Sequence, residues 1–489
     1  MSLSPSQIPP IRMAVIGGGI TGLAAAHRTI ELCQDQQRPL TLTLFEGQSR
    51  LGGIFGSEWK GDYLIERGAD SFITNKPSGI NLCRRLGLED EFITTNPHFR
   101  RSLILSRGRL IPTPDGFNLI APARIWPMLT TPLLSWSGKF RLLKERFIPR
   151  KRGLGDESLA AFVRRRLGNE MLERVVQPMV GGIYTSDPER LSLLATLPRF
   201  LEMEQTYGSL LRGMKRQPTA AQDQLHSKAA SGARYGLFVS LRNGMQQLLD
   251  TLEQRIVAQT RKRMGPRVKM LRRLETGWEV TPEHGASQVF DGVILAVPVH
   301  VASALLATVD SELSRLLGGI ESASSAIVIT GHDLSRIRHP MDAFGVVIPH
   351  CEGRRILATS FLSRKFSGRA PAGKIILRTF VGGAMQPEEL QQDDDRLLQS
   401  VLRELGDIFG IEGSPEFSEV ARYPQGMPQY TVGHLDRVRE IDAQAQSYPT
   451  LKLAGNYFRG VGVPDCIQSG EQAAESLLAS LLQQAEPTF

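Results

Sequence analysis

Three glycines at positions 17, 19 and 22 are spaced as GxGxxG, and their surroundings give that spacing a chemical meaning. Arg12–Ile16 reads as a short strand and the residues from Leu23 on (LAAAHRTIEL) as a helix, so the glycines occupy a strand-to-helix turn. In that setting the first glycine permits a tight turn, the second lets a pyrophosphate reach the backbone, and the third lets helix and strand pack closely. The helix start, with Gly18, Ile20 and Thr21 in the same loop, offers free N–H groups to a phosphate. Glu46 ends a second strand (Leu40–Phe45) 24 residues after Gly22, where its carboxylate can accept both hydroxyls of an adenosine ribose. Strand, glycine loop, helix and strand make a βαβ unit that binds a dinucleotide.

The residues after Glu46 choose the dinucleotide. Gly47, Arg50, Gly52 and Gly53 follow at once, and glycines there let the chain touch the phosphates and the ribityl side of a flavin. The Glu-x3-Arg-x-Gly-Gly run resembles the second fingerprint of FAD enzymes with the glutathione-reductase-like fold. No second GxGxxG occurs downstream, which argues against a separate NAD(P)H domain and for reoxidation by oxygen or a quinone. Near the other end, Leu451–Ala454 reads as a strand and Cys466 to Leu482 as a helix, with Asp465 at its N-cap and Gln468 three residues on. The positive end of that helix can stabilise an anionic reduced flavin, with the backbone of Val461, Gly462 and Val463 along the ring.

The rest of the chain must position these groups. Its 489 residues allow two or three domains. The 41% hydrophobic and 22% charged content supports a large core and argues against disorder. Cysteines at 33, 83, 351 and 466 have neither CxxC nor metal-ligand spacing, and nine histidines show no paired spacing, so a disulfide scaffold and a metal site are not expected. That usage fits a reducing, cytoplasmic setting. Neither a secretory signal nor a membrane span is expected. Further strands are read near Lys269–Leu274, Trp278–Val280, Val293–Val297, Ala326–Ile329 and Lys374–Thr379. Ser158–Glu204 and Asp394–Phe409 read as helical, and Gly213–Ala233 as an exposed loop.

Five segments carry a resemblance that spans nearly the whole chain: VIGGGITGLAAA with FEGQSRLGG, IERGADSF, GGIYTSDPERLS, GLFVSLRNGMQQL, and MPQYTVGHLDRV with LAGNYFRGVGVPDCIQSGEQAA. The chain resembles the FAD-dependent protoporphyrinogen/coproporphyrinogen III oxidases of haem biosynthesis, within the monoamine-oxidase-like flavoprotein superfamily. The resemblance implies an α/β fold: a Rossmann-like FAD domain (1–85, 213–300, 421–489) interleaved with an α+β substrate domain (86–110, 301–420) and a helical, membrane-associated domain (111–212) roofing the substrate. It also implies that Gly68, Ala69, Asp70 and Ser71 lie beside the flavin and that Val268 meets the adenine. Mitochondrial-type members place Pro and then Arg or Asn where Ala69 and Asp70 stand. The GADSF form, with Lys76 five residues after Ser71, is closer to the bacterial branch that oxidises coproporphyrinogen.

The expected reaction is oxidation of a porphyrinogen, coproporphyrinogen III foremost, with O2 yielding H2O2. Alternatives are protoporphyrinogen IX, or another chemistry of the same fold such as amine oxidation or carotenoid desaturation. A relative that has lost its flavin stands further off, against the intact glycines and Glu46. Flavin N5 accepts the hydride, so no catalytic side chain is assigned. Lys76 is a candidate for a propionate, and Gly181 and Gly182 either let a flat substrate approach a helix or simply break it. Cys466 sits where monoamine oxidases attach flavin, but without their motif, so FAD is expected to be non-covalent.

Formal charge is +8, and residues 139–152 hold seven basic side chains against one acid, following Trp126, Leu129, Leu133, Leu134 and Trp136. This stretch suits an anionic membrane surface on the inner face of the cell membrane, the mouth of a site for a polycarboxylate, or a solvated helix face. No nucleic-acid module accompanies it. A homodimer is compatible with the sequence.

Overall fold

In the computed structural model, residues 9–153, 155–216 and 238–485 are described. The core of the dinucleotide half is a five-stranded parallel sheet in the order Thr260–Met264, Leu40–Glu46, Ile11–Ile16, Gly292–Leu295, Leu451–Leu453. Its central strand ends level with its neighbours, Ile16 pairing Phe45 on one side and Leu295 on the other. Near-continuous apolar runs such as MAVI and GVIL form these strands because both faces are covered. On one face lie the Ile20–Asp35 and Val463–Ala485 helices, which share a core with Leu42, Leu44 and Ile294. Two glycines allow that packing. A Cβ on Gly470 would strike the Thr21 carbonyl, and one on Gly292 would meet Leu477 at 2.8 Å.

A second, seven-stranded sheet runs Phe417–Pro428, Ser322–Asp333, Lys374–Gly382, Ala358–Phe361, Gly345–Val347, Ser102–Ser106, Arg109–Pro112. It is antiparallel except where Gly345–Val347 lies parallel to Ser102–Ser106. The Asp394–Phe409 helix packs Leu397, Val401, Leu405 and Phe409 into one core with this sheet. A third core belongs to the helices between Trp126 and Arg216, with Phe162, Val176 and Phe200 fully buried.

Three readings of the sequence need correction. The span 158–204 is broken into helices at 159–166, 169–171, 177–184, 193–196 and 198–207, with a π-helical turn at 172–176. Gly213–Arg216, read as loop, belong to the Leu210–Arg216 helix; the rest of that reading lies outside the described residues. The last helix starts at Val463, not Cys466. Among the described residues, no helix is long and apolar enough to cross a membrane.

Candidate functional site

The carboxyl ends of the parallel strands bring the predicted residues together, where open α/β sheets hold ligands. Gly17 adopts φ 108°, and a Cβ there would collide with the Ala296 carbonyl; one on Gly22 would collide with the Gly17 carbonyl. Only glycine permits this approach of strand and helix. At Gly19, by contrast, nothing lies within 4 Å of the Cβ position. The helix beginning at Ile20 has no side-chain cap and no acidic residue in its first turn, so its amino end faces open space.

Glu46 is held rather than free. Its Oε2 accepts the Gly18 N–H at 2.7 Å and its Oε1 the Gln48 N–H at 2.8 Å. A carboxylate offers about four acceptor directions, so lone pairs remain for hydroxyls. Gly265 N–H donates to the Glu46 carbonyl at 2.9 Å, and Arg267 lies against Gly47, which brings the Val268 end of its strand to the same corner. Arg50 binds its own loop: its guanidinium donates to the carbonyls of Leu51, Gly53 and Phe55, at 3.2, 2.8 and 2.6 Å. It staples the loop in which Gly52 and Gly53 take φ 110° and 58°, and Gly52 N–H donates to the Gly18 carbonyl at 2.8 Å.

Gly68 sits so close to the Ile54 carbonyl that a Cβ would collide with it, which lays Gly68, Ala69, Asp70 and Ser71 against that glycine loop. Asp70 is buried. Burial alone would raise its pKa, but Lys365, at 2.9 Å, and Arg378, also at 2.9 Å, hold its carboxyl well below the usual range. Glu66, at the start of this turn, is pushed up to about 7 by burial, against the pull of Ser57, Arg369, Arg378 and the Met245 N–H.

The C-terminal segment closes the site. Asp465 is the third residue of its helix rather than the N-cap; its Oδ2 accepts the Gly462 N–H at 3.2 Å, the reach-back half of a capping box. Its other oxygen takes Lys76 Nζ at 2.6 Å, so the predicted propionate partner is already paired, though its side chain stays 43% exposed. Tyr430, absent from the sequence-based candidates, fixes the preceding loop by donating to the Asn456 carbonyl at 2.6 Å and accepting the Gly460 N–H at 2.8 Å. His434 stacks on it at 4.0 Å and its Nε2 meets the Phe458 carbonyl at 2.8 Å, a structural role. Val461, Tyr184 and Val347 line the edge of the helical core. Gly182 lies beside this group, its Cβ position 4.0 Å from Val347; Gly181 faces Gln177. Lys365 and Arg378 are the other residues the sequence did not single out.

The model of the family described as flavin containing amine oxidoreductase matches residues 20–478. This chain belongs to that family. Coproporphyrinogen III oxidase from Bacillus subtilis is 35% identical over 96% of this chain and 98% of its own length. The enzyme of the same name from Staphylococcus aureus is 34% identical over 96% and 99%. A crystal structure of a protein from Exiguobacterium sp. 255-15 superposes with a TM-score of 0.85 at 29% identity, covering 98% of this chain and all of that one. As a flavin containing amine oxidoreductase the chain is an oxidoreductase whose cofactor is FAD. The site fits that group: an open cradle at Gly19, two helix amino ends at Ile20 and Val463, and at Glu46 a carboxylate with lone pairs left for hydroxyls. Burial pushes the Cys466 thiol up to about 12 despite a hydrogen bond from Thr21, so it is not the thiolate that attachment would require.

Proposed function

We propose that this flavoenzyme oxidises coproporphyrinogen III to coproporphyrin III in haem biosynthesis, with molecular oxygen as acceptor. One observation carries the reading: relatives named for that substrate match the chain end to end at 34–35% identity. The substrate loses six hydrogens, as three hydride–proton pairs, and three O2 leave as three H2O2. Bound FAD would supply a two-electron acceptor for each round.

The chain's own part is orientation and electrostatics. Gly17–Gly22, Glu46, Gly47, Arg50, Gly52, Gly53 and Val268 would hold the dinucleotide, Arg50 by shaping its loop. Gly68–Ser71 and Val461–Val463 would flank the ring, with Asp465 fixing the helix start. Gly181 and Gly182 would let the flat macrocycle lie on the helical unit, and Lys76 would share itself between Asp465 and a propionate. No side-chain acid or base is required. The six-segment division read from the sequence, with the helical unit at 111–212 as roof, is part of this reading. A purified enzyme given each porphyrinogen in air, followed by porphyrin fluorescence and peroxide, should strongly prefer the tetracarboxylate substrate. The reverse preference would assign protoporphyrinogen IX; oxidation of an amine but neither porphyrinogen would sink the proposal.

The helical unit carries a second element of the proposal, peripheral contact with the inner face of the cell membrane. Trp126, Trp136, Phe140 and Phe147 are 63–77% exposed, and Leu143 38%. Lys139 Nζ lies over the Trp136 ring at 4.7 Å, and the Arg146 guanidinium over the Phe147 ring at 5.4 Å. Apolar groups in the headgroup layer with cations beside them suit anionic lipid. Sedimentation with phosphatidylglycerol vesicles, and not with phosphatidylcholine vesicles, is expected; a Trp136→Ser/Phe140→Ser/Phe147→Ser variant should stay in solution. Equal sedimentation of this variant and the native protein would refute the contact.

A further inference from the structure

We infer that Lys365 and Arg378 are positioning residues of the flavin site: reaching across from the seven-stranded sheet, they hold the Gly68–Ser71 loop and bias the cofactor toward its reduced, anionic form. Arg378 stands on the Lys374–Gly382 strand and Lys365 at the end of the turn after Ala358–Phe361. Arg378 donates to the Gly68 carbonyl and pairs with Asp70 at 2.9 Å. Lys365 Nζ donates to Asp70 Oδ1 at 2.9 Å and to Ser71 Oγ at 3.0 Å. Ser240 Oγ completes the clamp by donating to the Asp70 carbonyl at 2.7 Å.

Two cations therefore face one carboxylate. The neighbouring Arg369 lies 3.9 Å from Glu66, a carboxyl that burial pushes up to about 7 and that is therefore only a partial counter-charge. Arg378, Asp70 and Lys365 side chains are only 3%, 11% and 14% exposed, so solvent screens the excess positive charge poorly. A buried positive excess beside a flavin favours the form carrying the extra negative charge. The loop lies against Ile54 and the glycine turn, so the same two side chains transmit the position of the substrate sheet to the cofactor loop.

This rests on the FAD reading but not on the substrate, because the test is the midpoint potential of the purified holoenzyme without porphyrinogen. Lys365→Met should weaken binding of reduced relative to oxidised FAD about tenfold, a potential lower by about 30 mV for a two-electron couple. Asp70→Asn should move it by a similar amount in the opposite direction. Arg378→Lys keeps the charge and loses the fork to Gly68, so it should leave the potential in place and weaken FAD binding about tenfold. Should Asp70→Asn not retain FAD, Lys365→Arg decides: it should restore the native potential that Lys365→Met lowers. A merely structural role would lower thermal stability in both variants without opposite potential shifts, and that result overturns the inference. Native protein lacking flavin absorbance would overturn the cofactor reading as well, whereas potentials indifferent to these charges overturn this inference alone.

Discussion

At the scale of single residues, the site is governed by close backbone contacts and buried charge. Gly22 is the sharpest case: a methyl group there has nowhere to go but the Gly17 carbonyl, so Gly22→Ala should abolish retention of FAD, read as loss of visible flavin absorbance from purified protein. Glu66 gives a pH signature. Its carboxyl lies near 7 in the folded protein against an ordinary value of 4.5, so the folded state holds the proton more tightly. That contribution is full below about pH 4.5 and is lost as pH rises toward 7. Melting temperature should therefore fall between pH 5 and 8, and Glu66→Gln should flatten that fall; an unchanged slope would show that Glu66 is ionised throughout. Asp70 works in the opposite sense, its stabilisation present above the ordinary carboxylate range and lost in acid. Gly22 and Glu46 were legible in the sequence because the groups they meet, Gly17, Gly18 and Gln48, lie within one βαβ unit. Lys365 and Arg378 were not, since the Asp70 they serve is 295 and 308 positions away and no local pattern records such a meeting.

Among the elements, those whose ends are signalled locally could be read most closely. The Asp394–Phe409 helix was legible to its end residues: Asp393 accepts the Arg396 N–H as N-cap, and Gly410 closes it in the left-handed region. The final helix starts three residues before the Cys466 expected from an Asp465 N-cap, because Asp465 is instead its third residue and Pro464 suits a first turn, where its missing N–H costs nothing. The π-helical turn at 172–176 had no sequence signal. The crossing of the first and last helices depends on Gly470. Gly470→Val would press a side chain into the Thr21 carbonyl and should cost about 1–3 kcal/mol. The strain should appear as a lower melting temperature together with a reduced flavin-to-protein absorbance ratio, because the two amino ends it displaces form part of the proposed cradle.

The whole molecule is assembled from distant pieces of chain. One parallel sheet takes strands from residues 11–46, 260–295 and 451–453, so its register depends on contacts that loop out hundreds of residues. FAD held at the proposed site would span these pieces and should tie them together. Free cofactor at a hundred times its dissociation constant should stabilise the flavin-free protein by about 2.7 kcal/mol, seen as a rise in melting temperature that scales with FAD concentration. Protection confined to the N-terminal third in limited proteolysis would contradict a shared site.

The same interleaving sets an order of events during synthesis. Gly17–Gly22 and Glu46 leave the ribosome early, whereas the Val463 helix end that completes the cradle is made some four hundred residues later, roughly 20–80 s at ordinary elongation rates. A nascent chain can fold its first βαβ turn long before it can keep a cofactor. If FAD is held as proposed, loading waits for the Val463 helix, and a ribosome that stalls midway releases a fragment with only the first part of the proposed cradle.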